Sequence, residues 1–273
     1  MCQIKAPVLV SFVIATFNCG SRTKELISTV RNFAGLSCEF IVADGGSTDE
    51  TLSLIKTEPL LKLAYSSEDE GIYDAWNKAL NCCKGLYISF IGVDDIPNID
   101  FFNAVNNVIA TKNIVPYFIY GDCIMKHGNY IRRLDGPGCN PNLFYASKPS
   151  FDVPHPGSFN HRNLFEKNKF SATYKIAGDL EFYLRSRELI KQNSCLYIPI
   201  HQAIIDADGI SHSIKGASLY LREFVLIENS TGYKLNYSSF KLKLIILMGL
   251  FPKLFDFFRW LSWKIKHDSE LLL

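Results

Sequence analysis

Several features are missing from this chain of 273 residues, and each absence removes a class of protein. No CxxC pair with zinc spacing occurs, and the 8 cysteines are scattered, with Cys38 and Cys195 inside apolar runs. A disulfide framework and a thiolate zinc site are thereby excluded as organising features, and reduced thiols are expected. Cys82 and Cys83 are adjacent in a predicted helix, where neighbours point in different directions and do not ligate together. No apolar run approaches the roughly 20 residues of a membrane-spanning helix. The longest near the C-terminus, residues 244–251, is far shorter. The apolar run at the N-terminus lacks a strongly basic lead and a small-residue cleavage site, so it reads as a buried first strand and not as a secretory signal. A net charge of +2 is too small to point to nucleic acid. No GxGxxG follows the first strand and no GKS or GKT occurs, which removes the dinucleotide fingerprint and the P-loop.

What is present is an ordinary globular composition, 48% hydrophobic and 21% charged, long enough for one large α/β domain with or without an appendage. Over residues 1–125 strand and helix patterns alternate. Strands are predicted at 9–16, 39–43, 61–65 and 87–91, and helices at 23–33, from about 49, and at 72–84 with Gly85 as the stop. Thr48 or Asp49 is the expected cap of the second helix. Strands apolar on both faces and separated by helices imply a mostly parallel sheet covered on both sides. Ligands bind such sheets beyond the carboxyl ends of the strands. Three of those ends carry polar clusters here: TFN, DGG and VDD. In the second half, strands at 117–120 and 130–134 flank a turn near His127. A Gly/Pro/Asn-rich loop at 136–149 has the composition of a binding loop. A helix follows at 179–190 and a strand at 196–205.

Asp94 and Asp95 follow the apolar strand YISFIG. Adjacent carboxylates repel unless a cation or hydrogen-bond donors lie beside them. Mg²⁺ or Mn²⁺ takes a few such oxygens and leaves positions for phosphate. A solvated turn with an Asp capping the next helix accounts for the pair equally well. Asp44 opens DGGSTDE, where it would meet a base edge or ribose and the glycines admit a ligand close to the backbone. Asp49 reads better as a turn residue. His212, in GISHS, is either a metal or phosphate ligand or a polar surface residue. Lys84, Arg132, Arg133 and Arg185 either neutralise phosphate or are surface charges, and for Arg185 an internal ion pair is the better reading. Residues 240–267 mix long apolar side chains, Trp260, Trp263 and basic residues around Pro252. That composition fits helices lying in an anionic membrane interface; a packed helix and a partner-binding helix are the alternatives.

In order and spacing, VSFVIATFN, FIVADGGSTDET, SSEDEGIYDAWNKAL and GLYISFIGVDD resemble glycosyltransferase family 2, over roughly residues 9 to 212. DEGIYDAWNKA is similar to a subgroup with many bacterial surface-polysaccharide (O-antigen, capsule) transferases. The resemblance implies a GT-A fold, an α/β Rossmann-like sheet flanked by helices. Residues 1–125 would be the nucleotide-sugar half, 126–212 the acceptor half, and 213–273 a C-terminal amphipathic helical appendage. It implies an inverting, metal-dependent transferase that uses a nucleotide diphosphate sugar, with uridine favoured, and Mn²⁺ or Mg²⁺. Thr16, Asn18 and Asp44 would lie against the nucleoside, with Asp69 and Asn77 on the donor side. Asp94 would meet metal and diphosphate with Asp95 sharing the load, because the family's first acidic position is Gly92 here. Asp179 matches the general base of the family's Glu-Asp motif, whose Glu is replaced by Gly178. His155, in VPHPGSF, would face the acceptor. The implied acceptor is a lipid-linked saccharide, and the implied location is the cytoplasm, peripheral at the inner face of the membrane, with no nucleic-acid partner. Gly92 and Gly178 keep a catalytically inactive nucleotide-sugar-binding module open as an alternative, and a sugar nucleotidyltransferase is a further one.

Overall fold

The computed structural model describes residues 7–112, 114–128, 130–134, 155–206, 209 and 214–233. Strand β1 (Val10–Thr16) is buried on both faces, as its β-branched run requires. It is followed by α1 (Arg22–Arg31), β2 (Cys38–Asp44), α2 (Thr51–Thr57), β3 (Leu61–Ser66), α3 (Ile72–Ala79) and β4 (Tyr87–Ile91). The four strands pair in parallel in the order β3-β2-β1-β4. Register places Thr16 beside Asp44 and Ile14 beside Ile91, so the polar ends of three strands share one edge. Alternation along β1 sends Phe12 and Ile14 into a core with Leu26, Val30 and Phe33 of the α1 region. Val13 goes into the opposite core with Trp76, Phe90 and Phe182.

Beyond β4 the sheet becomes mixed. The chain continues through β5 (Ile96–Pro97), α4 (Ile99–Lys112), β6 (Phe118–His127), β7 (Tyr130–Leu134) and β8 (Phe159–His161). Then come α5 (Leu164–Lys167), α6 (Gly178–Gln192), β9 (Cys195–Asp206) and α7 (Ile214–Thr231). Strand β8 bridges β4 and β6 antiparallel to both, while β6 and β9 run parallel. Helix α7 begins just past the division expected at 212. It packs on the domain through the fully buried Ile227, and the Arg187 guanidinium lies 4.4 Å from the Tyr233 ring centroid.

Two local expectations are corrected. The helix predicted over 72–84 ends at Ala79, and Leu80–Cys82 tighten into a 3₁₀ turn. The chain leaves the helix early because the N–H groups of Lys84 and Gly85 are drawn to Ser11 Oγ and Glu39 Oε1 at the start of the sheet. Gly85 therefore serves that approach and not a helix cap. Helix α4 takes its cap from Asn98, whose Oδ1 accepts the Asp100 N–H at 2.9 Å, and from neither Asp94 nor Asp95. At α2 the expected Asp49 contact is present, with Oδ1 accepting the Thr51 N–H at 3.0 Å. Among the described residues no helix is long and apolar enough to cross a membrane. The loop at 136–149, His212 and the segment 240–267 lie outside the described residues.

Candidate active site

The strand-end edge is built around Asp44, which is fully buried. A carboxylate has about four lone-pair sites. Here they accept from Thr16 Oγ1 (3.0 Å), Ser47 Oγ (2.6 Å), the Ser47 N–H (3.0 Å) and Ser66 Oγ (2.8 Å). Burial pushes this carboxyl up, but the donors from Ser47, Ser66 and Thr16 outweigh it and hold it below the usual range. Asp44 thus welds the ends of β1, β2 and β3 together. Asn18, in the left-handed region at φ 46°, joins the same corner. Its N–H donates to Ser47 Oγ at 2.9 Å and its Oδ1 accepts the Thr48 N–H at 2.9 Å. Between Thr16 and Asn18 stands Phe17, 61% exposed, a large aromatic face on this edge that sequence reasoning passed over.

Asp69 borders the corner. Its Oδ1 accepts the Gly71 N–H at 2.9 Å, and its Oδ2 sits so close to Gly45 that an added Cβ there would lie 2.7 Å away. Asn77 is not brought to the corner. Its amide is spent on the backbone of Phe170, donating to the carbonyl at 2.7 Å and accepting the N–H at 3.0 Å. It staples α3 to the chain ahead of α6, the reverse of a free donor-side contact.

At the end of β4 the two carboxylates diverge. Asp94 Oδ2 accepts from Arg22 at 2.9 Å, an exposed pair that ties this turn to the start of α1. Asp95 Oδ2 folds back to accept the Gly92 N–H at 2.6 Å, and a Cβ at position 92 would stand 3.1 Å from that oxygen. Burial, with the charges of Asp94 and Asp206, pushes the Asp95 carboxyl up to about 6. Among the described residues no set of three His, Cys, Asp or Glu side chains converges on a metal position. Asp94 and Asp95 would have to turn from these partners to hold a hard divalent ion, which brings its remaining ligands as water and phosphate. The exposed Arg22 partner, worth at most about 1 kcal/mol, is readily displaced.

Asp179 lies in the first turn of α6. Its Oδ1 accepts the Leu180 N–H at 2.8 Å and the Tyr73 hydroxyl at 3.3 Å, while no described residue donates to Oδ2. Burial pushes its carboxyl up to about 6. The single proton of the Tyr73 hydroxyl is shared with the Ile176 carbonyl, the nearer acceptor at 2.7 Å, and Lys175 Nζ reaches the Glu70 carbonyl. The segment bearing Asp69 and the one bearing Asp179 are therefore adjacent. Glu181 is the competing carboxylate, and it is fully engaged by Arg185 at 2.7 and 3.0 Å. That pair is the internal one expected for Arg185. Arg133 is likewise paired, with the buried Asp122 at 2.5 Å.

His155 is 6% exposed and enclosed by aromatic rings, stacked on Phe90 at 5.3 Å and 5.2 Å from Trp76. Burial drives its pKa down to about 3, so it is neutral. Its Nε2 and the Trp76 Nε1 are buried and have no hydrogen-bond partner among the described residues. The expected acceptor-facing role meets a side chain enclosed by the core. Tyr73, Ser47, Ser66 and Arg22 were not singled out from the sequence. Their roles depend on partners 3 to 106 residues away, and only the TFN and DGG clusters hinted at them.

The family model described as "Glycosyl transferase family 2" matches residues 11–168. A "PGL/p-HBAD biosynthesis glycosyltransferase" of Mycobacterium tuberculosis (strain ATCC 25177 / H37Ra) is 26% identical over 186 residues, covering 66% of this chain and 70% of that protein. Among solved structures, S. aureus TarS 1-349 in complex with UDP-GlcNAc aligns with a TM-score of 0.59 at 17% identity, covering 89% of this chain and 71% of that one. Glucosyl-3-phosphoglycerate synthase from Mycobacterium tuberculosis, in complex with Mn²⁺, UDP and glucosyl-3-phosphoglycerate, aligns at 0.57 with 14% identity, over 86% of this chain and 83% of that one.

Proposed function

Because the chain belongs to glycosyl transferase family 2, we propose that it moves a sugar from a nucleoside diphosphate donor to an acceptor hydroxyl, with inversion, and that Asp179 is the base. The observation that carries this reading is the Asp179 carboxylate itself. One oxygen is anchored by Leu180 and Tyr73, the other has no donor from a described residue, and the segment beside it leads to the strand-end corner. A hydroxyl is a weak nucleophile, and a carboxylate fixed in this way takes its proton as the new bond forms. A single displacement from the face opposite the leaving diphosphate inverts the anomeric centre.

The donor lies along the β1–β2–β4 edge. Phe17 offers its exposed face to the base, and Thr16, Asn18 and Asp44 shape the corner under the ribose. Asp44 acts by holding the corner together, since its oxygens are already filled. Asp69 flanks the donor across Gly45. Asp94 and Asp95 are the residues that would hold Mn²⁺ or Mg²⁺, which when bound offsets charge on the departing diphosphate. UDP-GlcNAc in the TarS structure, and UDP with Mn²⁺ in the glucosyl-3-phosphoglycerate synthase structure, support a uridine donor and a divalent ion.

The acceptor in this reading is a lipid-linked saccharide of surface-polysaccharide assembly at the inner face of the cytoplasmic membrane. The Trp-bearing basic composition of residues 240–267 supports it. The full chain should cosediment with anionic vesicles and leave them at high salt. A chain that stays in the supernatant with anionic vesicles at low salt would remove the membrane part of the reading.

The test of the reading as a whole is a thermal-shift panel of UDP- and GDP-sugars with and without Mn²⁺, followed by assay of the best donor for release of nucleoside diphosphate. A ligand at about 100 times its Kd stabilises by about 2.7 kcal/mol. Stabilisation by one donor class with slow release of its diphosphate is expected. Stabilisation without any release would favour the inactive module raised by Gly92 and Gly178, and no stabilisation by any donor would overturn the reading.

A further inference from the structure

Helix α6 starts without a side-chain cap of the ordinary kind, because its N-cap residue is Ala177. The turn leading into it is held from elsewhere. Glu223, in the middle of α7, accepts three consecutive backbone N–H groups: Lys175 at 2.6 Å on Oε1, then Ile176 at 3.0 Å and Ala177 at 2.7 Å on Oε2. It is 3% exposed. A buried carboxylate is costly unless its oxygens are filled by donors. Here they are filled by a segment 46 to 48 residues earlier in the chain, directly ahead of Asp179. Tyr73 holds the same turn from the other side through the Ile176 carbonyl. Further along α7, the Ser230 hydroxyl lies 3.2 Å from that of Tyr174, and Ile227 fills the core beside α6.

We propose that Glu223 is a positioning residue for Asp179: by gathering the amides of Lys175, Ile176 and Ala177 it fixes the turn from which the base emerges, and makes α7 part of the catalytic apparatus. This rests on Asp179 being the base. Among the described residues the groups facing Asp179 are Tyr73 from α3, Tyr183 one turn along α6, and Glu223 from α7; burial is the main cause that raises the Asp179 carboxyl, and the negative charge of Glu223 adds to it. The nearby cation Lys175 is directed away, onto the carbonyls of Glu70 and Ala172. Glu223 thus places the base and strengthens its hold on a proton.

The experiment compares full-length Glu223→Gln, Glu223→Asp and Asp179→Asn with wild type. Asp179 is followed by ¹³C NMR of its carboxyl carbon, assigned by its loss in Asp179→Asn. Turnover is read as diphosphate release from the donor that best stabilises the wild type, and UDP affinity is read by calorimetry. Removing the charge in Glu223→Gln should move the Asp179 titration to lower pH. Turnover should drop about 10–100-fold, the scale of a small misplacement at a reacting centre, with UDP affinity nearly unchanged. Glu223→Asp, which keeps the charge on a shorter stem, should hold the titration near its wild-type position and recover part of the turnover. A carboxylate that merely braces the fold gives the opposite pattern: the titration stays put, and turnover and UDP affinity are both unchanged or fall together. That result overturns the proposal. Full turnover in Asp179→Asn would instead overturn the base assignment on which it rests, so the two failures are distinguishable.

Discussion

Asp179 and Glu181 stand two residues apart in one helix turn, and their surroundings give them different chemistry. Glu181 is neutralised by the bidentate Arg185 contact, whereas Asp179 keeps one oxygen without a donor from any described residue. Asp179→Asn should lower turnover about 10²–10⁴-fold, the usual worth of a positioned base, with donor affinity retained. Glu181→Gln should cost much less turnover and show mainly as lost stability. The reverse ranking would refute the assignment. Burial pushes the Asp179 carboxyl up to about 6, and the proposed base acts in its ionised form. Activity should therefore be flat above that pH and fall as pH drops through it, by about tenfold per unit at the limit. A profile flat down to pH 4 would mean that another group takes the proton. Residue types at this scale were legible: Thr16, Asn18, Asp44 and Asp69 do meet around one corner. Their hydrogen-bond partners were not. Nothing in the pattern IYDAWNKA reveals that Asn77 is spent on Phe170, because that partner lies 93 residues away.

Between elements, the contact that shapes the surroundings of Asp179 is α3 against the start of α6. A Cβ at Gly178 would lie 2.7 to 3.0 Å from three atoms of the Tyr73 ring. The residue ahead of Asp179 is therefore small because the tyrosine occupies its side-chain space, and the tyrosine hydroxyl lies 3.3 Å from Asp179 Oδ1. Gly178→Ala should displace that ring at a cost of about 1–3 kcal/mol, the range for overpacked cores. It should lower Tm and turnover together, and an unchanged Tm with full turnover would show the contact to be slack. Strands β1, β2 and β4 could be read from sequence because they are apolar on both faces. Strands β5 and β8 could not. They span two and three residues, too short for a period, and β8 pairs with a strand about 70 residues earlier.

At the scale of the whole molecule, the parallel half of the sheet supplies the strand-end corner and the mixed half brings α6 alongside it. Helix α7, expected from sequence as the start of a separate C-terminal segment, shares its core and its hydrogen bonds with α6. Composition alone does not reveal such docking, since a helix with apolar residues reads the same whether it covers a domain or a membrane. In the proposed reading the end of β4 receives the donor's diphosphate. The measurement that tests it most directly is calorimetry of UDP binding to wild type and Asp94→Asn, each in EDTA and in Mn²⁺. Mn²⁺ should tighten UDP binding to the wild type, and Asp94→Asn should lose this gain while keeping its fold and its metal-free affinity. An equal gain from Mn²⁺ in both proteins would contradict it.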